Sequence, residues 1–243
     1  MKRSLAALQS AVVACTRCPE LRAYTAGIAL EKKRAHADCV YWGKPVPAFG
    51  RARACVAIVG LAPGAHGSNR TGRPFTGDAS GGFLYPALHR AGFATKANAV
   101  DRNDGLELVD CFITAALRCA PPKNKPTPQQ LRNCFPYLVE EFEALRDLHV
   151  AIGLGSIGFA AILKVLRETG WELEPQRPQF AHGGESTARR GSRALTVIAS
   201  YHPSRQNTNT GVLTKPMFDA VFSRAREILG PSIARGSAAL RPG

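Results

Sequence analysis

The hydrophobic positions of the chain fall into short apolar runs, separated by segments in which apolar residues recur with helical spacing. Runs of this length, bounded by glycine or polar residues, are typical of strands buried on both faces. Because the helical segments lie between the runs, strand and helix alternate along the chain. This alternation predicts an α/β fold, a three-layer α/β/α domain around a central, mainly parallel four-stranded sheet. The four predicted strands are Ala54–Gly60, Phe112–Leu117, His149–Gly153 and Ala194–Ala199.

The helical spacing predicts five helices. The clearest start is at Thr127, because Thr is a good N-cap, Pro128 suits the first helical position and Gln130 completes a capping box. We expect residues 1–230 to form a single domain and residues 231–243 to form a flexible tail. The predicted helices are Leu5–Val12 running into Cys15, Phe83 to about Gly92, Thr127 to about Arg146, one through Ile162 and Leu166, and Pro216–Leu229.

The composition is that of a globular protein, and its charge balance is strongly basic. Of the 243 residues, 45% are hydrophobic and 21% are charged, which excludes a disordered chain. The 32 Lys and Arg against 18 Asp and Glu give a formal net charge of +14, which indicates either a polyanionic partner such as nucleic acid or, with equal weight, charge kept for solubility alone. No apolar run is long enough to span a membrane, and the start lacks the apolar core of a secretory signal. We expect a cytoplasmic monomer.

Three unusual loops follow predicted strands at their carboxyl ends. In parallel α/β sheets, ligands bind outside this edge. The loops therefore predict an active site where they converge. They are Leu61–Gly82, Arg118–Pro126 and Tyr201–Thr214.

The first and third of these loops carry side chains suited to a nucleotide. The first combines glycines with Arg70, Arg73, Phe75 and Asp78, which suits a base stacked on the aromatic ring with its phosphate held outside. The alternatives are a core position for Phe75 and an N-cap role for Asp78. His202 directly follows a strand, a position that favours a functional role over a structural one.

Four of the seven cysteines have a spacing that indicates a metal site. Cys15 and Cys18 form a C-x-x-C pair, while Cys119 and Cys134 are single residues farther along. Four thiolates can bind one zinc ion or a [4Fe–4S] cluster, and the irregular spacing favours the cluster. Plain buried thiols remain a third interpretation. Cys55 and Cys111 lie in or beside apolar strands, so we expect them in the core.

The segment Gly153–Gly158 matches the G-x-G-x-x-G pattern of dinucleotide-binding sites, with Glu172 and Glu174 at about the distance of the usual acid. However, it follows the third strand, and no convincing strand delivers those acids. We therefore interpret its glycines as allowing tight strand–helix packing. A dinucleotide-binding iron–sulfur oxidoreductase remains the alternative function.

Taken together, four blocks of this sequence resemble the B-type (family 5) uracil-DNA glycosylases, an iron–sulfur branch of the uracil-DNA glycosylase superfamily. The resemblance extends from Cys15 to about Phe218. The blocks are Gly60–Gly67, Asn69–Asp78, Arg118–Pro128, and His202–Arg205 with Asn209–Gly211.

The resemblance implies a DNA base-excision repair enzyme that flips out and hydrolyses uracil and other deaminated bases, such as hypoxanthine, leaving an abasic site. It also implies that Cys15, Cys18, Cys119 and Cys134 ligate a [4Fe–4S] cluster. The thermostable iron–sulfur branch has Glu after the first motif glycine and Asn on the second strand, where this chain has Leu61 and Ala115. A site without that amide should discriminate less sharply between uracil and other bases.

On this basis we assign expected roles to residues of the three loops. Asp78 and Asn124 would support the sugar cation and the attacking water, and His202 would donate to the departing base. A relative that binds DNA without catalysis is a further alternative, which the presence of all three residues argues against. The predicted substrate-binding residues are Leu61, Ala62, Gly64, Ala65, Phe75 and Ala115, and the predicted DNA-binding residues are Arg70, Arg73, Lys123, Lys125, Ser204, Arg205, Gln206 and Asn207.

Overall fold

The computed structural model describes the backbone of residues 3–238 and the side chains of residues 3–230. The strands are β1 (Phe49–Gly50), β2 (Val56–Gly60), β3 (Cys111–Ala115), β4 (Val150–Leu154), β5 (Glu172–Glu174), β6 (Glu185–Arg190) and β7 (Arg193–Ser200). The helices are α1 (Leu5–Val13), α2 (Pro19–Glu31), α3 (Ser68–Thr71), α4 (Ala79–Arg90), α5 (Pro128–Ala144), α6 (Gly155–Glu168), α7 (Arg205–Asn209) and α8 (Lys215–Ala238), with 3₁₀ turns at Arg34–His36 and Pro122–Asn124.

The strands form one mixed sheet in the order β1-β3-β2-β4-β7-β6-β5. The four central strands, β3, β2, β4 and β7, are parallel, and they are the four that the sequence predicts. Their register aligns an isoleucine row across the sheet, with Ile58 opposite both Ile113 and Ile152, and Ile152 opposite Ile198. All positions of β2, β3 and β4 are buried, as expected for strands covered on both faces.

Helices cover both faces of the sheet and complete the predicted three layers. Alternate strand residues point to opposite sides, so each face has its own core. On one face the isoleucine row packs with α4 and α8, through residues such as Leu84 and Phe218. On the other face Ala57 and Val197 pack with α5 and α6.

The sheet is larger than the predicted four strands, because three antiparallel strands were missed. β1 has only two residues, and β5 and β6 form an edge hairpin in which charged residues alternate with buried ones. Such short or charged edge strands lack the apolar run that marks a central strand. Helix α2 was also missed, because only Leu21 and Thr25 of it are buried.

The predicted helices are confirmed, with shifts at their ends. α5 begins with the predicted capping box, in which Thr127 Oγ1 accepts from Gln130 N–H at 3.2 Å and Gln130 Oε1 accepts from Thr127 N–H at 2.9 Å. The last helix changes direction at Gly230 (φ 58°) and its backbone remains helical to Ala238. The flexible tail predicted for residues 231–243 stays a prediction: the backbone of residues 231–238 is helical, and residues 239–243 lie outside the described part of the chain.

Two further expectations are met in the described residues. Cys55 and Cys111 are buried core residues, and burial raises the pKa of the Cys55 thiol to about 11. Within residues 3–238, no helix is long and apolar enough to cross a membrane.

The glycines of Gly153–Gly158 serve strand–helix packing, as expected. A Cβ atom at Gly153 would lie 2.5 Å from the Cα atom of Phe159, and one at Gly158 would overlap the carbonyl oxygen of Val59. Since these glycines bring α6 against β4 and β2, their pattern has a structural cause and needs no bound dinucleotide.

Candidate active site

The carboxyl ends of the parallel strands open into a cavity of about 730 Å³. The three predicted loops meet around it, together with a segment near the N-terminus. Twelve residues to which the sequence assigned a role line this cavity: Leu61, Ala62, Gly64, Ala65, Phe75, Asp78, Ala115, Asn124, His202, Ser204, Arg205 and Gln206.

Asp78 lies in the cavity wall and also begins helix α4. Its Oδ1 accepts a hydrogen bond from Gly81 N–H at 3.0 Å, so the expected N-cap is present. The loop before α3 crosses directly over the carboxylate, because a Cβ atom at Gly67 would overlap Asp78 and one at Gly64 would lie 2.9 Å from its Oδ2. Burial raises the pKa of Asp78, against the lowering effect of backbone N–H groups and nearby arginines.

Phe75 belongs to the core and to the cavity at once. Its side chain packs in the core below α4, yet its ring lines the cavity, 5.9 Å from the ring of His202 at an interplanar angle of 33°. Two glycines make room for it, since a Cβ atom at Gly60 would lie 2.7 Å from the ring and one at Gly81 would overlap the Phe75 carbonyl oxygen. The ring therefore has a fixed position and offers a surface to a planar ligand.

His202 follows β7 and is held from its backbone. Its carbonyl oxygen accepts a hydrogen bond from Asn207 Nδ2 at 2.9 Å, and Gly155 (φ 81°) leaves room for its side chain. Burial lowers the pKa of His202 to about 4, so the imidazole is neutral at pH 7. A neutral imidazole in this wall can donate one N–H to a ligand.

Asn124 reaches the cavity mouth from the 3₁₀ turn after β3. It has a positive φ of 56°, a conformation that Asn tolerates better than most residues. The flanking Lys123 and Lys125 are exposed and lie beyond the lining of the cavity.

The four cysteines of the predicted metal site line a second, small pocket of about 20 Å³. Cys15 and Cys18 lie between α1 and α2, Cys119 follows β3, and Cys134 is in α5. Burial raises the pKa of Cys119 to about 12 and that of Cys134 to about 11, and the neighbouring thiols add to both shifts.

Arg22 and Arg118 line the same pocket. Nη1 of Arg22 is buried and finds no hydrogen-bond acceptor, although a guanidinium N–H normally has one. A negatively charged group among the cysteines would supply it. In the described part of the chain, no three His, Cys, Asp or Glu side chains are placed to hold a single metal ion.

Arg118 fixes the loop that carries Cys119. Its backbone N–H donates to Cys134 Sγ at 3.3 Å, and its buried guanidinium pairs with the buried Glu141 of α5. Glu141 also accepts from Thr114 Oγ1 at 2.7 Å. Because Arg118 and Leu117 line both pockets, the cysteines lie directly behind the wall of the larger cavity.

Comparison with known proteins places this arrangement in a family. The family model described as "Uracil DNA glycosylase superfamily" matches residues 47–226, which contain the cavity loops and two of the four cysteines. The chain belongs to the uracil-DNA glycosylase superfamily.

Curated relatives cover nearly the whole chain. The chain is 45% identical over 219 residues to the Type-5 uracil-DNA glycosylase of Thermus thermophilus, covering 90% of this chain and 95% of the relative. It is 44% identical over 214 residues to the Type-5 uracil-DNA glycosylase of Pyrobaculum aerophilum, covering 88% of each. A Type-4 uracil-DNA glycosylase of Archaeoglobus fulgidus is 30% identical over 190 residues, covering 76% of this chain and 82% of the relative.

One predicted DNA-binding residue, Arg73, is buried, so DNA cannot contact it. It is 3% exposed, and its guanidinium forms two hydrogen bonds to the Asp104 carboxylate, at 2.8 and 2.6 Å. A third N–H donates to Thr76 Oγ1 at 3.0 Å. The expectation that Arg73 binds DNA is therefore wrong, and this residue supports the loop that carries Phe75.

Three other predicted DNA-binding residues stabilise the active-site loops. Arg70 donates to the carbonyl oxygens of His66 at 2.9 Å and Gly77 at 3.0 Å, and Asn207 holds the His202 backbone. Ser204 caps α7 by accepting from Asn207 N–H at 3.3 Å. Of the predicted DNA-binding group, Lys123, Lys125, Arg205 and Gln206 are exposed.

Three basic residues line the cavity without having been predicted from the sequence, namely Lys33, His36 and His66. His66 lies inside the motif Gly60–Gly67, so its place in that loop was a usable signal. Lys33 and His36 come from the segment after α2, which follows no central strand and gave no signal. Their position depends on how that segment folds over the cavity.

Proposed function

We propose that this protein is a uracil-DNA glycosylase of DNA repair, which flips a uracil nucleotide into the cavity and hydrolyses its N-glycosidic bond. The observation that carries the proposal is the convergence of Phe75, Asp78, Asn124 and His202, from three separate loops, on one cavity. An enzyme that acts on a base in duplex DNA needs such a pocket, because the reacting bond is out of reach within the stack. The Type-5 relatives, 44 and 45% identical over most of the chain, support the same activity.

Asp78 acts on the sugar side of the reaction. As the bond to the base breaks, positive charge develops on the sugar, and a carboxylate in the cavity wall stabilises it. Water then adds to C1′ while the base leaves with the bonding electron pair. Because burial raises the pKa of Asp78, the carboxylate is also a stronger base for the proton of the attacking water. Asn124 at the mouth helps to orient that water.

His202 and Phe75 act on the base side. The departing base gathers negative charge on a carbonyl oxygen, which the N–H of the neutral His202 stabilises. The ring of Phe75, fixed by the glycines around it, stacks on the flipped base. Leu61, Ala62 and Ala65 complete a largely apolar wall that excludes water.

The range of bases extends beyond uracil in this proposal, to deaminated bases such as hypoxanthine. Ala115 lies at the end of β3 in the cavity wall and offers a methyl group where an amide would read uracil. Substituting Ala115→Asn should restore that reading and reduce excision of hypoxanthine more than excision of uracil. Equal effects on the two bases would argue against a specificity role for Ala115.

We further propose that Cys15, Cys18, Cys119 and Cys134 hold a [4Fe–4S] cluster. Four thiolates are the usual ligands of this cluster. Four cysteines, from α5, from the chain after β3 and from the turn between α1 and α2, line one pocket, which supports the proposal. The buried Arg22 Nη1 would then have an anionic acceptor. When bound, the cluster would act as a structural cross-link that ties α1, α2 and α5 to the end of β3.

The test is single-turnover cleavage of duplexes that carry one uracil or one hypoxanthine, with a thymine duplex as the control. We expect abasic sites from the first two and none from the third. Loss of excision in Asp78→Ala, His202→Ala and Asn124→Ala would support the assigned roles. Binding of uracil-containing DNA without any excision by the wild type would instead indicate a non-catalytic relative.

A further inference from the structure

Three basic side chains in the cavity lining have no part in the chemistry above. Lys33 and His36 come from the segment after α2, and His66 comes from the loop after β2. All three line one cavity, and Arg70 is bound to the His66 backbone. Burial lowers the pKa of His36, and the charges of Arg70, Lys33 and His66 lower it further. Within the part of the chain that the structure describes, no ion pair with an acidic side chain is formed by these three residues or by Arg70.

The orientation of His66 is fixed at both its backbone and its ring. Arg70 Nε donates to the His66 carbonyl oxygen at 2.9 Å, and Tyr41 Oη lies 3.1 Å from His66 Nδ1. The Tyr41 hydroxyl also accepts from Lys33 N–H at 3.4 Å, and Tyr41 is only 8% exposed.

These contacts assign the tautomer of the His66 ring. A buried hydroxyl proton without an acceptor is costly, and His66 Nδ1 is the acceptor within reach of Tyr41. Nδ1 therefore accepts, and Nε2 carries the ring proton. No described residue accepts a hydrogen bond from Nε2, so this N–H remains free for a ligand.

We propose that Lys33, His36 and His66 form a subsite for one backbone phosphate beside the flipped nucleotide, with Tyr41 as the positioning residue for His66. The proposal rests on the proposed function, since a nucleotide in the cavity must leave its phosphates at the mouth. A phosphodiester is an anion with acceptor oxygens, which suits a cluster of cations and N–H donors that has no acidic partner. Such contacts fix the register of the strand without reading sequence.

The test combines protein variants with single neutral linkages in the DNA. Duplexes with a non-cleavable uracil analogue carry one methylphosphonate in place of one phosphate, at each position around the uracil in turn. At one linkage adjacent to the uracil, we expect the substitution to weaken binding by the wild type on the order of tenfold. The same substitution should weaken binding by His66→Ala less than about twofold, because the contact is already lost.

Further variants separate positioning from structure. Tyr41→Phe keeps the ring but lets His66 turn, so the dissociation constant should rise while the cleavage rate of a uracil duplex at saturating enzyme stays near that of the wild type. Lys33→Ala, at an exposed position, should lower the salt slope of binding by about one. His89→Ala, at an exposed histidine outside the cavity lining, is the control and should match the wild type.

If the methylphosphonate penalty in His66→Ala equals that of the wild type at every linkage, the subsite is overturned. Uracil release by the wild type, measured in parallel on unmodified duplexes, tests the proposed function separately. If the wild type releases uracil normally while the methylphosphonate penalty is the same in wild type and His66→Ala at every linkage, only the subsite is refuted.

Discussion

The Oδ1 atom of Asp78 accepts a hydrogen bond from the backbone N–H of Gly81 at 3.0 Å, so one carboxylate both lines the cavity and caps helix α4. The cap fixes the carboxylate where the chain enters the helix. The second oxygen, Oδ2, faces the loop glycines Gly64 and Gly67. From the sequence alone, the cap and the catalytic role are alternatives for Asp78, and the geometry permits both.

This double role predicts that two substitutions of Asp78 will differ in stability but not in activity. Asn is as good an N-cap as Asp, whereas Ala removes the cap and costs about 1 kcal/mol. We therefore expect Asp78→Asn to unfold near the wild-type denaturant midpoint and Asp78→Ala to unfold earlier. Both should lose most single-turnover activity on a uracil duplex, because neither carries the charge. Substantial activity in Asp78→Asn would show that the carboxylate charge is dispensable.

A second prediction concerns the charge of His202. Its pKa is lowered to about 4 from the ordinary 6.5, so between these values the unfolded chain binds the proton more readily than the folded one. Stability should therefore fall as the pH falls from about 6.5 to 4. His202→Gln cannot gain the proton and should show a smaller fall.

The measurement is the difference in unfolding free energy between wild type and His202→Gln across that pH range. His89→Gln is the control, since His89 is exposed and lies outside the cavity lining. An identical pH profile for wild type and His202→Gln would contradict a His202 that stays neutral down to about pH 4.

The central sheet could be predicted because β2, β3, β4 and β7 are apolar runs buried by helices on both faces. The outer antiparallel strands could not, since β6 (Glu185–Arg190), for example, has only two buried positions and its sequence resembles a polar loop. Helix α2 escaped for a similar reason, as it buries little surface. The pattern of apolar residues indicates which elements are buried, and these elements have few buried residues.

The site was predictable where its residues directly follow central strands, as Leu61 and His202 do. The surroundings of each side chain were not predictable. Asp104 lies more than thirty residues after Arg73. Nothing in the sequence near Arg73 shows that the Asp104 carboxylate forms an ion pair with its guanidinium. Lys33 and His36 reach the cavity only through the fold of the segment after α2.

A third prediction contrasts Arg73 with Arg205. Arg205 is exposed at the cavity mouth, so Arg205→Ala should weaken DNA binding and lower its salt slope by about one, with little change in stability. Arg73→Ala leaves Asp104 without its partner in a mostly buried site and should cost about 3 kcal/mol or more of stability. Binding by the folded fraction of Arg73→Ala should keep the wild-type salt slope. If Arg73→Ala lowered the salt slope of DNA binding and Arg205→Ala did not, Arg73 would belong to the DNA interface.

The fourth prediction concerns the four-cysteine pocket and uses the remaining cysteines as controls. Substituting Cys15, Cys18, Cys119 or Cys134 by Ser should reduce the iron and sulfide content of anaerobically purified protein, together with its visible absorbance. Cys39 lies outside this pocket, and Cys39→Ser should keep both at the wild-type level. Because the cluster would join α1, α2 and α5 to the end of β3, its loss should also lower the melting temperature. Arg22→Met should keep the iron but change the reduction potential, since Arg22 lines the pocket and its buried Nη1 has no hydrogen-bond acceptor. If the wild-type protein binds one equivalent of zinc and no iron, the pocket is a single-ion site and not a cluster site.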